Sequence, residues 1–181
     1  MKTYIALLRG INVTGYNMIK MKDLTVHLAS LKYSNIKTYI QSGNILFESD
    51  NKESKIFEKE IHHLIENKFG FNVPVIVKTT EEMKKVHKNN PFVNGSNSDI
   101  NKLYVTFLSE APLKENIVKM VETKIDADEF ILTDDNNVVY LNCGNGYGKT
   151  KLSNTFFESK LKVTATTRSW KTVEKLVEMS R

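Results

Sequence analysis

The sequence predicts an α+β fold of two ferredoxin-like subdomains, each with the element order β-α-β-β-α-β and an antiparallel sheet, and a further helix at the C-terminus. Three observations predict it. Short apolar runs of the strand type alternate with stretches in which apolar residues recur at helical spacing. The order of these runs is the same in both halves of the 181-residue chain. A polar segment, Asn89–Asn101, separates the halves, so we expect subdomains over residues 1–93 and 100–181.

The first half begins with a strand, a helix and a strand hairpin. A mostly apolar run predicts a buried strand over residues 3–9, and apolar residues at helical spacing predict a helix over residues 21–31. Two short runs of the β type follow at residues 36–40 and 45–48. Gln41–Asn44 lies between them and has the composition of a hairpin turn.

A second helix and a fourth strand complete this half. Asp50–Glu53 has the pattern of a capping box, a helical apolar face follows it, and Gly70 is placed to end the helix. Val73–Val77 predicts the fourth strand. A short helix over residues 80–88 leads to the polar segment between the halves, whose loosest part is residues 94–98.

The second half repeats this order. Leu103–Leu108 predicts a strand, and the spacing of Leu113, Ile117, Met120 and Val121 predicts a helix whose first turn contains Pro112. The remaining predicted elements are the strands Phe130–Leu132 and Val138–Leu141 around the turn Asp134–Asn137, a helix near residues 152–157, the strand Val163–Thr166 and a last helix from about Lys171.

Composition predicts a cytoplasmic protein with no membrane partner. No apolar run approaches the roughly 20 residues that a membrane-spanning helix needs. The apolar stretch at the N-terminus is too short for a signal peptide and ends in Arg9 rather than in small residues. Cys143 is the only cysteine, so no internal disulfide can form, which fits a reducing compartment.

Charge permits an anionic partner but does not identify one. The formal net charge is +5, which favours phosphate-bearing molecules, yet the lysines are spread along the chain as on any solvated surface. Only three of the 26 basic residues are arginines: Arg9, Arg168 and Arg181. Arg9 and Arg168 either serve a role that lysine cannot, because a guanidinium group binds carboxylates and phosphates with two parallel hydrogen bonds, or reflect chance in codon usage.

Chain order predicts a first candidate site in the N-terminal half. The first two strands of a β-α-β-β-α-β unit run parallel, so the loop after strand one and the turn after strand two meet at the same edge of the sheet. Both segments are rich in polar and glycine residues. They either form a small ligand-binding edge or only hydrogen-bond each other to close the sheet. The candidate ligand-binding residues are Arg9, Asn12, Lys20, Gln41, Ser42 and Asn44.

A second candidate lies in the C-terminal half, in the glycine-rich segment Cys143–Thr150 before a predicted helix. It is not a nucleotide-binding P-loop, because Cys143 replaces the first glycine of that motif. Backbone N–H groups of a glycine loop can still bind an anion. Topology brings the end of the fourth strand to this edge, so Lys149 and Arg168 are candidate ligands of a phosphate or carboxylate. The alternative is a glycine turn with a surface lysine.

Other sites have less support in the sequence. Lys102–Leu108 is similar to the first strand of an RNA-recognition motif, but Asn137–Leu141 lacks the matching aromatic pattern of the third strand. The four histidines show no metal-ligand spacing, and adjacent His62 and His63 should point in different directions on a helix. Cys143 fits a small buried residue better than a nucleophile. The sequence therefore predicts no metal, no cofactor and no identifiable catalytic group.

Three blocks of sequence carry a resemblance to a known family. The first runs from Leu7–Val13 through Lys20 and Met21 to Thr38–Phe47, the second is Asn90–Phe92, and the third is Thr166–Val173. Together they resemble the bacterial domain-of-unknown-function family numbered 1697. The resemblance implies two α-β plait subdomains and no established activity. The motif-matching positions are Arg9, Gly10, Asn12, Gln41, Ser42, Gly43, Asn44, Arg168 and Trp170.

The sequence thus favours a binding protein whose ligand carries phosphate or carboxylate, held by loop amides with Arg9 or Arg168 as the charged fork. Three alternatives stay open: a nucleic-acid-binding protein that uses a sheet face, an enzyme with the N-terminal edge as its pocket, and a protein-interaction module with an exposed apolar patch.

Overall fold

A computed structural model of the chain describes residues 1–50, 53–93, 99–123, 128–135 and 137–181. The chain divides into two compact units. The N-terminal unit comprises Met1–Lys85 with Leu176–Arg181, and the C-terminal unit comprises Val86–Lys175. Both boundaries fall within helices. The predicted loose segment at residues 94–98 lies outside the described residues.

The N-terminal unit is a ferredoxin-like sheet with two helices on one face. Its strands take the order β2-β3-β1-β4, and every neighbouring pair is antiparallel. The β-α-β-β-α-β order predicted from the sequence is confirmed. The elements are β1 (Lys2–Leu8), α1 (Met21–Leu28), β2 (Ser34–Tyr39), β3 (Asn44–Ser49), α2 (Ser54–Phe69), β4 (Val75–Thr79) and the start of α3 (Thr80–Lys88).

Alternate strand residues build the core of this unit, because successive side chains of a strand point to opposite faces. Tyr4, Phe47 and Phe57 meet in it with ring centroids 4.5–5.7 Å apart. The other sheet face carries the buried side chains of Ile5 and Leu7. Where α3 begins, the Thr80 hydroxyl donates to the Thr3 carbonyl at 3.1 Å.

The C-terminal unit has the same topology, with strand order β6-β7-β5-β8 and antiparallel pairs throughout. Side chains from both layers, among them Leu141 and Phe157, form its core under the helices. The elements are β5 (Leu103–Leu108), α4 (Lys114–Val121), β6 (Asp128–Leu132), β7 (Val138–Cys143), α5 (Asn154–Leu161), β8 (Ala165–Ser169) and α6 (Trp170–Met179), the predicted C-terminal helix.

The start and the buried face of α4 differ from the sequence prediction. Pro112 precedes α4 rather than lying in its first turn, and Leu113 and Val121 are exposed. The buried face of α4 instead includes Asn116, whose Nδ2 donates to the Leu161 carbonyl at 3.4 Å. Asn116, hydrogen-bonded to the Leu161 carbonyl, is thus buried on a helix face for which the sequence predicted only apolar residues.

Both ends of α2 were predicted from capping residues, and the structure confirms the cap at its C-terminal end. The capping box at Asp50–Glu53 includes residues 51 and 52, which lie outside the described residues, and the Glu53 side chain makes no cap hydrogen bond. Gly70 ends the helix as predicted. It adopts a left-handed conformation with φ +75°, and its N–H donates to the Glu66 carbonyl at 2.9 Å.

Within the described part of the chain, no helix has the length and apolar character that crossing a lipid bilayer would require.

Candidate functional site

The end of β1 is joined to both segments that flank it. The Leu8 N–H donates to the Gly43 carbonyl at 2.8 Å, and the Arg9 N–H donates to the Pro74 carbonyl at 2.9 Å. The loop after β1 therefore starts between the β2–β3 hairpin and the start of β4. We call residues 9–20 and 40–43 together the N-terminal rim.

The side-chain amide of Asn12 connects the two parts of this rim. Its Nδ2 donates to the Gln41 carbonyl at 2.8 Å and to the Ile19 carbonyl at 2.9 Å, and its Oδ1 accepts from the Ile19 N–H at 2.8 Å. The predicted proximity of Asn12 and Gln41 is thus present in the structure. Because both amide hydrogens of Asn12 are used within the chain, this residue supports the rim instead of offering a donor to a ligand.

The hairpin turn is packed closely against the first loop. Gly43 has φ +79°, and a Cβ atom added there would lie 2.7 Å from both Ile11 Cδ1 and Leu8 Cβ. Asn44 is fully buried, and its Nδ2 donates to the Tyr39 carbonyl at 3.0 Å and to the Ser42 hydroxyl at 3.1 Å. Glycine at 43 and the amide at 44 are therefore requirements of the turn.

The outer side of the rim exposes large apolar side chains. The exposed fractions are 74% for Tyr16, 61% for Met18, 55% for Val13 and 49% for Ile40. Ile40 has φ +50°, a conformation that β-branched residues rarely adopt. These four exposed side chains are on two segments that the Asn12 side chain joins by hydrogen bonds.

Cationic side chains belong to the same rim. Arg9 is half-buried at the end of β1, and Lys20 is exposed immediately before α1. The Lys20 side chain makes no cap hydrogen bond at the start of α1, whose N-terminal N–H groups carry partial positive charge and whose first turn contains Asp23. Gln41 is exposed on the hairpin. The rim therefore combines positive charge with apolar surface.

The glycine-rich loop of the C-terminal unit donates two hydrogen bonds to the Asp128 side chain. Asp128 accepts from the Gly144 N–H at 3.0 Å and from the Thr150 hydroxyl at 2.5 Å. The loop does not lead directly into α5, which begins at Asn154 with the Ser153 side chain as its cap. An internal anion thus takes some of the donors that the sequence suggested for a ligand.

Lys149 and Arg168 occupy different environments near this loop. Lys149 is exposed. Arg168 is buried, and its Nη1 donates to the Thr166 hydroxyl at 2.8 Å and to the Thr167 carbonyl at 3.0 Å. Arg168 pairs with Val105, so both side chains point to the same face of the sheet, opposite to that of Tyr104. The Tyr147 ring of the glycine-rich loop packs against Tyr104, with the two ring centroids 4.8 Å apart. Ligand binding by Lys149 and Arg168 stays a prediction without support from these contacts.

Cys143 is a buried thiol at the end of β7. Burial raises its pKa to about 11, while a hydrogen bond with Thr150 acts in the opposite direction. Because the thiolate is the reactive form, this environment suits the structural role expected from the sequence.

The aromatic residues of the second sheet are not available for stacking on bases. Tyr104 packs on Tyr147, and Tyr140 is buried, with its hydroxyl donating to the Val86 carbonyl at 2.9 Å. An RNA-recognition motif instead presents exposed rings on its sheet. The two rings lie on opposite faces of the sheet, and these contacts argue against base stacking on either of them.

Two features of the N-terminal unit were missed by the sequence reasoning. One is the apolar surface of the rim, because isolated apolar residues in a loop have no periodicity. The other is a cluster of His62, His63 and Glu66, whose potential ligand atoms lie within 4.8 Å of one another. The carboxylate three positions after His63 was the signal that could have indicated it.

Comparisons with known proteins agree with the fold. Conserved bacterial protein SP0830 from Streptococcus pneumoniae has a similar structure, with 21% sequence identity, a TM-score of 0.74 and 99% of each chain covered. Similarity at this level of identity shows the fold alone. No curated protein matches the chain. The family model described as protein of unknown function (DUF1697) matches residues 1–140, which contain the whole N-terminal rim, and the chain therefore belongs to the DUF1697 family.

Proposed function

We propose that the protein binds a small ligand with a phosphate or carboxylate group and a flat apolar part, and that the N-terminal rim is its site. The observation that carries the proposal is the combination of exposed apolar side chains with Arg9 and Lys20 on two segments fixed by Asn12. A ligand of this kind satisfies both surface properties at once.

The charged part of the ligand would be held by the cationic side chains of the rim, Arg9 at its β1 end and Lys20 at its α1 end. Arg9 offers a planar fork for two oxygen atoms, and Lys20 adds a second positive charge. The start of α1 next to Lys20 favours an anion for the same reason. Hydrogen bonds to charged groups are worth about 1.5–3 kcal/mol each, so one such contact changes affinity by roughly tenfold or more.

The apolar part of the ligand would cover side chains that water now surrounds. Tyr16 supplies an aromatic face, and Val13, Met18 and Ile40 add apolar area. Exposed large apolar side chains concentrated in two connected segments are typical of a binding surface. Aromatic rings stack preferentially in offset or edge-on arrangements, which suits a flat ligand.

Hydrogen bonds and close packing connect the two segments of the rim. The hydrogen bonds of Asn12 and the close approach of Gly43 to Ile11 and Leu8 join loop and hairpin. A site that is already ordered loses less conformational entropy on binding. The hydrogen bonds within the rim therefore support a binding role as well as closing the sheet.

Phenyl phosphate is the smallest probe that carries both ligand features. Isothermal titration calorimetry should show tighter binding of phenyl phosphate than of inorganic phosphate or phenol. Arg9→Gln should weaken phenyl phosphate about tenfold through loss of a charge-assisted contact. Tyr16→Ala should weaken phenyl phosphate and leave inorganic phosphate nearly unchanged.

The matched control is Lys59→Gln, which removes an exposed lysine of α2, a helix that has no part in the proposed site. It should leave binding within a factor of two or so, because a lone surface charge acts weakly through solvent. Equal affinity for phenol and phenyl phosphate, or unchanged affinity in Arg9→Gln, would contradict the proposed function.

A further inference from the structure

A cluster of potential metal ligands lies on α2. One imidazole nitrogen from each of His62 and His63 and one carboxylate oxygen of Glu66 are within 4.8 Å of one another. His63 Nδ1 is 3.7 Å from Glu66 Oε2, and the two imidazole centroids are 5.4 Å apart. Side-chain torsions thus bring together two rings that adjacent helix positions would by themselves direct apart.

A backbone carbonyl orients one of the two rings. His62 Nδ1 is 2.9 Å from the Val73 carbonyl oxygen. A carbonyl only accepts hydrogen bonds, so the proton of a neutral His62 lies on Nδ1 and the lone pair on Nε2. Metal-binding histidines have this arrangement, in which the second ring N–H donates to a carbonyl or carboxylate that fixes the ring and its tautomer.

We propose that His62, His63 and Glu66 form a binding site for a divalent transition-metal ion of the Zn²⁺ type. His62 ligates through Nε2, His63 through a ring nitrogen, and Glu66 through its carboxylate. Two imidazoles and a carboxylate suit Zn²⁺, whose bonds to these atoms are about 2.0–2.2 Å long. The His63 and Glu66 side chains are exposed, so they are free to rotate toward a shared ion.

The composition of the site leaves room for an external ligand. Structural zinc sites have four protein ligands, whereas sites with three keep a position for water or another molecule. The side chains of His63 and Glu66 are 66% and 51% exposed, so solvent reaches the ion. The metal site is independent of the proposed function, because it uses none of the charged or apolar groups of the N-terminal rim.

Binding is tested with the untagged full chain, since a histidine tag would itself bind the ions. Calorimetry with Zn²⁺ should show one ion per chain, and Co²⁺ should give visible absorption bands of a low-coordinate site. Glu66→Gln and His63→Ala should each weaken binding by at least about tenfold, because even the loss of an outer-shell partner costs that much. Both residues are exposed, so the variants should fold, which circular dichroism checks.

The control variants are Glu81→Gln and His87→Ala, which remove residues of the same types outside the cluster. They should bind Zn²⁺ as the unaltered chain does. Absence of saturable binding, or equal affinity in Glu66→Gln, His63→Ala and the unaltered chain, would overturn the assignment.

A spectroscopic measurement locates the ion without any substitution. Long-range ¹H–¹⁵N spectra of the imidazoles should show His62 with its proton on Nδ1 before metal is added. Zn²⁺ should then shift the Nε2 resonance of His62 strongly and leave that of His27 in place. A Zn²⁺ titration that leaves His62 Nε2 unshifted would overturn the proposal.

Discussion

Asn12 is the residue on which the geometry of the N-terminal rim most depends. One side chain joins the loop to itself at Ile19 and to the hairpin at Gln41 through three hydrogen bonds of 2.8–2.9 Å. Asn12 also has φ +53°, a left-handed conformation that asparagine tolerates better than most residues. The side-chain amide and the left-handed backbone conformation of Asn12 thus both stabilise the N-terminal rim.

Asn12→Ala should therefore destabilise the protein by about 2 kcal/mol, since it leaves two carbonyls and an N–H without this partner in a partly buried place. Urea denaturation measures the change. The exposed Asn145 offers a control, and Asn145→Ala should stay within about 0.5 kcal/mol of the unaltered chain. Equal stability of the two variants would show that the amide of Asn12 does not hold the rim.

At the scale of elements, the β2–β3 hairpin approaches the loop after β1 so closely that no side chain fits between them. Gly43 and Gly15 both have left-handed φ angles, +79° and +86°, but of the two only Gly43 has neighbouring atoms within 4 Å of the place that a Cβ atom would take. Comparing alanine variants at these two positions therefore separates the free-energy cost of a left-handed backbone from the cost of the steric overlap at Gly43.

Gly15→Ala should cost about 1 kcal/mol, the penalty of a left-handed alanine. Gly43→Ala should cost a further 1–3 kcal/mol or so, because its methyl group would overlap Leu8 and Ile11. Thermal or urea unfolding of both variants checks the difference. If Gly43→Ala is no less stable than Gly15→Ala, the hairpin does not pack on the loop as described.

The sequence predicted the element order and the meeting of Asn12 with Gln41 because both follow from chain topology and turn chemistry. The sequence could not predict that Asp128 accepts hydrogen bonds from the glycine-rich loop, since Asp128 and Gly144 are 16 positions apart and are brought together only by the pairing of β6 with β7. The His62–His63 cluster was missed for a related reason. Helical geometry fixes the directions of the Cβ atoms, whereas the positions of the ring nitrogens depend on side-chain torsions and on the Val73 carbonyl.

At the scale of the whole molecule, buried weak acids predict a loss of stability in alkali. Burial raises the pKa of Cys143 to about 11 and, with a smaller contribution from Asp135, that of Tyr140 to about 12. Burial and then Glu60 raise the pKa of Tyr33 as well. All three groups keep their protons to higher pH in the folded state than in the unfolded state.

The free energy of unfolding should therefore be constant below about pH 9 as far as these groups are concerned, and should fall as pH rises further, because the unfolded chain loses these protons first. Cys143→Ala should make the decrease between about pH 9 and 11 shallower, since it removes one of the groups. Urea denaturation at intervals from pH 7 to 11 measures both slopes. Parallel slopes for the variant and the unaltered chain would mean that the thiol titrates normally.

The glycine amides report on both ligand-binding candidates in a single experiment. Gly10, Gly15 and Gly43 belong to the N-terminal rim, and Gly144, Gly146 and Gly148 belong to the glycine-rich loop around Asp128. The most direct test of ligand binding at the rim is a ¹H–¹⁵N correlation spectrum recorded during a titration with phenyl phosphate. We expect saturable shifts of the first three amides while the second three stay in place; shifts confined to Gly144, Gly146 and Gly148 would contradict the proposed site.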